Sequence, residues 1–566
     1  MKRRVSKMAV ILSLAMAAGV LSSCTQNTPG TASGGTASAG GSGDGGSTVE
    51  MSANGEFPIV NEKMSFTIMV PQEAYILDVE TNEFTKWYEE QTNIHIDWEI
   101  VPKEAVTEKV TLSLTTGEYP DAYLGCNLSA ADQVKYGSQG IFISLNDLIE
   151  KYSVDFKAAM ESSELLPEAI TAPDGNIYSL PQINECFHCF YPAKVYMNQE
   201  WLKNVGKEAP TTTDEFYEVL KAFKEQDANG NGDPNDEIPM MGADGGWYTD
   251  PYSFLLNSFV YWDGATGYAL NNGKIEFVAN TEEFREGLRY INKLVSEGLI
   301  DPVSFTQKEA QAKIIGGDPE KITVGTACGA TFESILGDTV NDPLERYTQY
   351  EAISPLKGPN GVQNALTEEG GVYSGRFLIT NQCENPEVLF RWADGGYKAE
   401  VTLQSQAGPE NVGWKKPAEG TLGINGKPAL YEKITWTGDS VQNYHLENIM
   451  LANRTRDYRD GQAVVGGDPY LTQTGEPRRY RDTETYYEPY ASDMQIPILM
   501  YTQEESDELA IIQTGLTDFL KENMVAFMTG NKSLDSDWDA YAAEFENLNV
   551  SRALEIMQTA YDRQYK

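Results

Sequence analysis

The strongest chemical signal in the chain is a short run of oxygen-bearing side chains directly after a helix-like segment. Asp227, Asn229 and Asn231 stand at alternate positions, and Gly232 follows them. An EF-hand-type loop uses this spacing to arrange hard oxygen ligands around Ca²⁺, and glycine at its sixth position allows the sharp turn. The sequence therefore predicts a Ca²⁺ site with six candidate ligands: Asp227, Asn229, Asn231, Asp233, Asp236 and Glu237.

The match to an EF-hand loop is incomplete at its C-terminal end. Position 12, where a bidentate glutamate is usual, is Ile238, and the last two carboxylates stand at positions 10 and 11. Whether Asp236, Glu237 or both would reach the ion stays open, and the alternative is an Asn/Gly/Asp-rich turn that binds no metal. Nothing nearby supplies an activated water or a substrate carbonyl, so we expect the ion to be structural.

Motifs for covalent or metal-assisted catalysis are absent from the sequence. It contains no G-x-S-x-G, no H-E-x-x-H, no Walker A motif and no G-x-G-x-x-G that opens a helix after a strand. Only His95, His188 and His445 are available as histidine bases. A glycosidase-type carboxylate pair cannot be singled out among 84 acidic residues. We therefore expect a protein that is not an enzyme.

Aromatic side chains are concentrated in residues 244–268, which contain eight of them, including Trp247, Tyr252 and Trp262. Trp247 follows two glycines and Trp262 precedes Asp-Gly, and both contexts are typical of loops in which a large ring is exposed. Exposed rings stack on the faces of sugars, whereas buried rings belong to the core. Trp414, in the sequence Gly-Trp-Lys-Lys, presents the same two alternatives.

The segment Cys186-Phe187-His188-Cys189 has the C-x-x-C spacing of zinc and thioredoxin-like redox sites. A structural zinc site needs four ligands, and no second cysteine pair or nearby histidine completes the set. We therefore expect these cysteines to be small buried residues or to form one local disulfide.

The N-terminus carries a targeting signal rather than part of the folded body. A basic start precedes an apolar stretch of 14 residues at 8–21, which is too short to span a bilayer. The sequence Leu-Ser-Ser-Cys at 21–24 resembles a bacterial lipobox, in which the cysteine is diacylated and becomes the first mature residue. We predict a signal peptide over 1–23, followed by lipidated Cys24 and a flexible linker over 24–56 that is rich in Gly, Ser and Thr.

The net charge of −41 excludes two classes of partner. Lys and Arg together number 43, against 84 acidic residues. A field of that sign repels phosphate backbones and anionic lipid. We therefore expect no nucleic-acid binding, and membrane association only through the lipid on Cys24.

Alternating strands and helices in the body indicate an α/β fold. Strands are predicted at 63–70, 94–101 and 122–124, with helices at 83–92 and 106–115 between them. This order favours a parallel, doubly wound sheet. Further strands are predicted at 321–326 and 377–380, and helices over 281–297 and through the C-terminal region 504–565.

The helix before the candidate metal loop has clear start and packing signals. Thr212 and Glu215 have capping-box spacing. The apolar residues that follow fall on one helical face, namely Phe216, Val219, Leu220 and Phe223.

The order of these features resembles that of the extracellular solute-binding lipoproteins of carbohydrate ABC importers, in the subgroup that carries a calcium loop. The resemblance covers essentially the whole mature chain, and DANGNGDPNDEIP is its most specific part. The other matching stretches are the lipobox at Cys24, GEYPDAYL (117–124), YGSQGIFISLNDLIEKY (136–152), DGNIYSLP (174–181), the remainder of 195–240, and 524–565.

The resemblance implies an α/β, two-lobed periplasmic-binding-protein-like fold with hinged lobes and a helical C-terminal region. Lobe 1 would comprise 57–186 and 356–420, and lobe 2 would comprise 187–355 and 421–566 with the calcium loop. A lipid-anchored monomer at the extracellular face of the cell membrane would capture an oligosaccharide between the lobes and deliver it to ABC permease subunits. Positions in loops nominate nine ligand-binding residues: Asn127, Glu185, His188, Trp247, Tyr252, Trp262, Phe332, Arg376 and Trp414.

Two other functions stay open at this point. A surface-anchored polysaccharide-degrading enzyme would share the tether and the aromatic residues, but it would shorten its substrate. A receptor for a peptide or another solute would share the fold. The charge of the sugar is also open, because a group of arginines would either bind a uronic acid or pair with surplus acids. These are Arg454, Arg456, Arg459, Arg478, Arg479 and Arg481, interleaved with Tyr458 and Tyr480.

Overall fold

The computed structural model describes residues 49–163, 165–337, 342–368, 370–434, 441–466 and 475–566. The predicted signal peptide, Cys24 and most of the predicted linker therefore lie outside the described residues. Among those that are described, no helix is both long and apolar enough to cross a membrane.

Thirteen strands are present in the described ranges. They are β1 (Met64–Gln72), β2 (Ile94–Pro102), β3 (Ala122–Leu124), β4 (Leu180–Asn184), β5 (Val195–Asn198), β6 (Tyr268–Asn271), β7 (Lys274–Phe277), β8 (Thr326–Cys328), β9 (Tyr350–Ala352), β10 (Gly371–Ile379), β11 (Trp414–Lys415), β12 (Glu432–Lys433) and β13 (Asn453–Arg454).

Nineteen α-helices are described. They are α1 (Glu83–Thr92), α2 (Val106–Thr116), α3 (Ala130–Ser138), α4 (Asn146–Tyr152), α5 (Asp155–Ser162), α6 (Leu165–Ile170), α7 (Gln199–Asn204), α8 (Thr213–Glu225), α9 (Tyr252–Leu255), α10 (Glu282–Ser296), α11 (Glu309–Gly316), α12 (Arg346–Gln349), α13 (Pro386–Asp394), α14 (Ala399–Ala407), α15 (Arg456–Asp460), α16 (Glu476–Tyr486), α17 (Gln503–Met528), α18 (Trp538–Asn547) and α19 (Val550–Tyr565).

The first core is built on both faces of a six-stranded sheet with the order β13-β4-β10-β3-β1-β2. Side chains alternate between the faces with the period of two that a strand imposes. Ile68 and Val70 of β1 pack in one cluster with Phe377 of β10, whereas Met69 and Leu378 pack in the cluster on the other face. Helices therefore cover a sheet that is buried on both sides, as in other α/β folds.

The second core is built around a three-stranded antiparallel sheet with the order β8-β5-β9. Its cluster runs from Val195 to Ala365 along the chain and then resumes at Tyr487. The C-terminal helices α17, α18 and α19 supply its last residues, including Phe527 and Phe545, which are fully buried.

The chain passes between the two cores three times. It leaves the first core after β4, returns at β10, and leaves again after β13, which pairs with β4. Residues 446–451 pack in the first core, so the last passage comes after them.

Most of the predicted elements are confirmed, as is the α/β class with a helical C-terminal region. Helix 83–92 and strand 122–124 have the predicted bounds, and β2 and β3 are each parallel to β1. The expectation of a purely parallel sheet is wrong, because β10 enters from the second core and runs antiparallel to β3 and β4. The strand expected at 321–326 is displaced to β8, and 504–565 is three helices.

Helix α8 has the predicted capping box and buried face. The Thr212 hydroxyl accepts from the Glu215 N–H at 3.2 Å, and Glu215 accepts from the Thr212 N–H at 3.2 Å. Phe216, Leu220 and Phe223 are fully buried in the second core. The helix ends at Glu225, two residues before the candidate metal loop begins, and Ala228 of the loop is fully buried in the same core.

Candidate functional site: a cleft between the two cores

A cleft of two adjoining chambers lies between the first and second cores. Asn184, Cys189 and Trp247 line both chambers and so mark where they meet. One chamber, of about 480 Å³, is lined by many charged side chains, and we call it the charged chamber. Its charged lining residues are Glu309, Lys313, Glu333, Lys433, Glu447, Arg454, Arg459, Glu476 and Arg479, and buried His188 lies beside them.

The other chamber, of about 710 Å³, has six aromatic residues in its wall, and we call it the aromatic chamber. Tyr373 comes from β10 of the first sheet, whereas Tyr268 packs in the second core. Each wall therefore comes from a different core, so a ligand in this chamber would contact both. Its remaining residues include Phe190, Tyr248, Tyr261, Asp263, Thr266, Thr367, Glu368, Gln495 and Gln513.

Trp247 is held at the junction by a tightly packed glycine turn. A Cβ on Gly246 would lie 2.4 Å from the Thr249 hydroxyl and 2.5 Å from a Glu309 carboxylate oxygen. The Trp247 carbonyl accepts from the Ala330 N–H at 3.0 Å. Its backbone is thus anchored to the second core while the indole stays 41 % exposed.

Tyr248, directly after Trp247, has an uncommon backbone conformation. Its φ of 52° lies in the left-handed region, which costs a non-glycine residue about 1–3 kcal/mol. Gly264 lies against its ring, because a Cβ there would be 2.6 Å from a ring carbon. The Tyr248 hydroxyl donates to Glu368 at 2.6 Å. Such strain is typical of ligand sites, and here it turns Trp247 and Tyr248 into the cleft together.

A disulfide lies in the first passage between the cores. Cys186 and Cys189 are bonded to each other, so neither offers a thiolate to a metal ion. Buried Lys194 donates to the His188 carbonyl at 2.8 Å and to the Tyr191 carbonyl. Of the two sequence alternatives for this segment, the structure forms the local disulfide, and the bond ties together the turn that presents Cys189 and His188 to the cleft.

A chain of ion pairs crosses the charged chamber. Arg459 and Arg479 each contact a carboxylate oxygen of Glu476 at 3.0 Å, and Arg479 also contacts Glu333 at 2.8 Å. Arg454 lies 3.6 Å from Glu447. Every guanidinium that lines this chamber, among the described residues, is therefore paired with a carboxylate.

Burial sets the protonation of the groups around Glu476. It lowers the pKa of His188 to about 4, so the imidazole is neutral at pH 7 although it lies 3.4 Å from Glu476. Burial also opposes the ionised form of Glu476, but its neighbours His188, Arg459 and Arg479 hold its pKa well below the usual range. Because His188 is neutral, we assign this effect to the two arginines.

Two of the nine ligand-binding residues nominated from sequence, His188 and Trp247, line the cleft. Glu185 lies beside it and accepts from the Arg456 N–H at 2.7 Å. Arg376 donates to the carbonyl of Asn448, a lining residue, at 2.8 Å, so it supports the cleft wall from outside the cleft. These two residues position the cleft without lining it.

The other nominated residues lie elsewhere. The expectation of an exposed ring is wrong for Trp262, which is 1 % exposed and packs on Phe284 in the second core. Tyr252 shares a separate cavity of about 170 Å³ with Trp262. Phe332 is buried between Tyr196 and Tyr350, Asn127 is exposed outside both chambers, and the Trp414 indole donates to the Gly408 carbonyl at 2.9 Å.

Sequence reasoning missed several lining residues. Asn184, Glu368 and Tyr373 come from segments almost 200 residues apart and carry no local motif. The position of Tyr248 directly after Trp247 could have suggested that it lines the same site, but its positive φ could not be predicted from the sequence. Of the six arginines considered, Arg454, Arg459 and Arg479 line the charged chamber, and Arg478 lies buried against Phe332 instead.

The 227–237 loop lies at the end of α8, and three of its oxygens have no partner. Oδ1 of Asp227 and both carboxylate oxygens of Glu237 are buried without a hydrogen bond. Burial raises the pKa of Glu237; the nearby backbone N–H groups of Glu237 and Asn229 oppose this rise, and the charges of Asp236 and Asp227 add to it. Asp236 is different, because it accepts from the side-chain amides of Asn229 at 2.8 Å and Asn231 at 3.1 Å.

The sequence and the fold are both similar to those of known substrate-binding proteins. The fructooligosaccharide ABC transporter substrate-binding protein FusA of Streptococcus pneumoniae is 28 % identical over 489 residues, which are 84 % of this chain and 86 % of FusA. A FusA structure described as an EF-hand mutant in complex with fructo-nystose has a TM-score of 0.72 at 24 % identity, over 88 % of this chain and 99 % of that one.

A solute-binding protein of Bifidobacterium longum infantis, described as HMO-binding, has a TM-score of 0.74 at 22 % identity, over 89 % of this chain and 99 % of that one. These neighbours confirm the two-lobed, periplasmic-binding-protein-like fold. The family described as "Bacterial extracellular solute-binding protein" matches residues 71–394, more than half of the sequence. The chain therefore belongs to the bacterial extracellular solute-binding protein family.

Proposed function

We propose that this protein captures an oligosaccharide in the cleft between its two cores and delivers it to the permease subunits of an ABC importer. One observation carries the proposal: Trp247 and Tyr373, each 41 % exposed, line one chamber from opposite cores. An exposed ring offers the flat apolar surface on which sugars stack, and polar groups nearby fix hydroxyl positions. A ligand between these rings would draw the two cores together.

The lobes of such a clamp follow the two cores. We propose that the first lobe comprises 57–186, 371–420 and the segment up to Arg454, and that the second comprises 187–370 and 475–566. Compared with the bounds expected from sequence, this moves residues 446–451 into the first lobe, because they pack in its core. It also moves 356–370 into the second lobe, because Leu356 and Ala365 pack in the second core. The three passages between the cores would then act as the hinge.

The names of the relatives support an oligosaccharide as the ligand. FusA is named for fructooligosaccharide, and the Bifidobacterium protein is described as HMO-binding. Binding and release need no covalent step, which agrees with the lack of catalytic motifs in the sequence. The relatives are also named as binding proteins rather than enzymes.

A thermal-shift screen of oligosaccharides and short peptides, followed by calorimetry on the hits, tests this proposal. We expect at least one oligosaccharide to raise the melting temperature and to bind with a stoichiometry of one. Mass spectrometry of the sugar after incubation should show an unchanged chain length. Cleaved products would favour a polysaccharide-degrading enzyme, and stabilisation by peptides alone would favour a peptide receptor.

We also propose that the 227–237 loop binds a structural Ca²⁺ ion. Three buried, unpartnered carboxylate oxygens on Asp227 and Glu237 fit a hard cation, because they would otherwise repel one another in a desolvated loop. The ion would neutralise these charges and fix the turn after α8. The residues that would hold it are Asp227, Asn229, Asn231, Asp233, Asp236 and Glu237.

Finally, we propose that lipid on Cys24 anchors the protein, as a monomer, to the extracellular face of the cell membrane. The sequence at 21–24 supports this. Cys24→Ala should release the protein into the medium or block its processing, as fractionation would show. Membrane retention of this variant, together with no lipid on the wild type by mass spectrometry, would contradict the anchor.

A further inference from the structure

The two chambers of the cleft differ in the charges that line them. The aromatic chamber has Asp263 and Glu368 as its carboxylates, and among the described residues no Lys, Arg or His lines it. The charged chamber has five cations and four carboxylates, and its guanidiniums are paired across it. A ligand group that enters the aromatic chamber therefore meets negative charge without a compensating cation.

This inference rests on the proposed function: we propose that the aromatic chamber accepts only an uncharged sugar ring of the bound oligosaccharide, and that Glu368 is the residue that determines this specificity.

Glu368 is fixed in the wall of the aromatic chamber. Its N–H donates to the Phe190 carbonyl at 2.9 Å, and its Oε1 accepts from the Tyr248 hydroxyl at 2.6 Å. A carboxylate has about four lone-pair sites, so these contacts leave acceptor capacity for sugar hydroxyls. Desolvation raises the pKa of Glu368, and hydrogen bonds from Tyr248 and Trp247 oppose that rise.

Asp263 adds a second, fully constrained negative charge. Its Oδ1 accepts from the N–H groups of Ala265, Thr266 and Gly267 at 2.9–3.1 Å, and its Oδ2 accepts from the Thr266 hydroxyl. It is thus held by its own loop and is not free to swing away from an incoming anion. A uronate carboxylate about 6 Å from a single such charge, at an effective dielectric constant of about 20, would bind about a hundredfold more weakly than its neutral form.

The arginines of the charged chamber do not provide an alternative receptor for acid. Arg459, Arg479 and Arg454 are already paired with Glu476, Glu333 and Glu447. A ligand carboxylate would have to displace one of these partners and leave it unpaired, which is costly in a partly buried site. These three of the six arginines considered from sequence as uronate ligands therefore pair with the acids of the charged chamber.

The size of the cleft indicates more than one sugar ring. Each chamber, at about 480 and 710 Å³, lies within the range of about 300–1,000 Å³ that holds drug-sized ligands. Because Trp247 lines both, a chain that stacks on it would extend into each chamber.

Calorimetry on the calcium-loaded protein tests the inference with a matched set of sugars. The neutral sugars are kestose, fructo-nystose and maltotriose, and the acidic sugar is trigalacturonate. The methyl ester of trigalacturonate is the control, because it has the same rings without the charges. Wild type is compared with Glu368→Gln and with Glu282→Gln, an exposed residue on α10 outside the cleft.

We expect the tightest ligand to be neutral and trigalacturonate to bind about a hundredfold more weakly than that ligand. Glu368→Gln should weaken the neutral ligand about tenfold, through loss of charge-assisted hydrogen bonds, and should narrow its advantage over trigalacturonate, through loss of a repelling charge. Glu282→Gln should change neither affinity. Trigalacturonate binding as tightly as the best neutral sugar, or a Glu368→Gln variant with unchanged neutral affinity, would overturn the inference while leaving oligosaccharide capture intact. Binding of no sugar at all would overturn the proposed function and this inference with it.

Discussion

The 227–237 loop and the interlobe cleft are assembled in opposite ways. All candidate ligands of the loop lie within eleven consecutive residues, and the oxygens of Asp227 and Glu237 that lack partners are already close to one another in sequence. The cleft takes Asn184, Trp247 and Tyr373 from three distant segments and two cores. A site such as the loop can be recognised from the spacing of neighbouring residues in the sequence. A site such as the cleft forms only when distant segments come together in the folded chain.

The same difference separates the roles of the two regions. The loop lies at the end of α8, which is buried in the second core alone, so an ion there would stabilise one lobe. The cleft has walls from both cores, so a ligand there would act on their relative position. Perturbing the loop should change stability without affinity, and removing an exposed ring from the cleft should change affinity without stability.

The largest expected effect comes from a matched pair of tryptophans. Trp262→Ala removes a buried ring from the second core and should cost about 3–5 kcal/mol of unfolding free energy. Trp247→Ala removes an exposed ring and should leave stability within about 0.5 kcal/mol. It should instead weaken oligosaccharide binding by at least about 0.5–1.5 kcal/mol. Urea unfolding and calorimetry on both variants check this; a stable Trp262→Ala variant with reduced affinity would reverse the assignment.

Removal of calcium should give the next largest effect. An ion that binds only the folded state stabilises it by RT ln(1 + [L]/Kd), or about 2.7 kcal/mol at 100 times Kd. Chelation should therefore lower the melting temperature, and Ca²⁺ should restore it better than Mg²⁺, which requires tighter octahedral geometry. Asp227→Ala should abolish the difference, whereas Glu225→Gln, exposed at the end of the same helix, should keep it.

Sugar affinity should be the same in the chelated and calcium-loaded samples, because the loop does not line the cleft. The loop variants also answer which carboxylate binds. Glu237→Gln should lose more of the calcium response than Asp236→Asn, because Asp236 already accepts from two amides. A purified protein without calcium by elemental analysis, and without a melting shift on chelation, would make the loop an ordinary turn.

Acid should destabilise the cleft wall by a smaller amount. His188 is buried with a pKa lowered to about 4, against about 6.5 in the unfolded chain. The unfolded state therefore binds the proton first, and the stability present above pH 6.5 is lost as the pH falls towards 4. For this group the loss between pH 7 and 5.5 is about 1 kcal/mol. His188→Gln should flatten this part of the pH profile in urea unfolding, and His95→Gln, outside the cleft, should not.

The smallest expected effect tests the turn that holds Trp247. In Gly246→Ala the new Cβ would meet Thr249 and Glu309, so the turn must shift. We expect about fivefold weaker sugar binding, equivalent to about 1 kcal/mol. Gly515→Ala is the matched control: it lies inside α17 with no atom closer than 3.8 Å, so it should stabilise the helix and leave affinity unchanged. Equal affinities for the two variants would show that the turn does not position the indole.

Much of the fold could be predicted because its signals are local. The capping box at Thr212 and Glu215, the apolar face of α8 and the strands at 63–70 and 94–101 each follow from residues a few positions apart. The direction of β10 could not be predicted, since it depends on the chain returning from the second core. The period of a strand carries no information on its partner or direction.

The cleft was only partly predictable for a related reason. Trp247 and Trp262 have similar glycine-containing contexts, yet one is exposed and the other packs on Phe284 of α10. That contact joins residues 22 positions apart, and no local pattern distinguishes the two indoles. Glu368 and Tyr373 carry no motif. Tyr373 reaches the site because β10 pairs with β4, and Glu368, which precedes β10, is held there by the Phe190 carbonyl.

A crystal structure of the calcium-loaded protein with the tightest oligosaccharide from the screen tests the central claim most directly. We expect one sugar chain in the cleft, with a ring stacked on Trp247 at van der Waals distance and a neutral ring between Trp247 and Tyr373 within reach of Glu368. Sugar bound elsewhere, with Trp247 and Tyr373 still exposed to solvent, would contradict it.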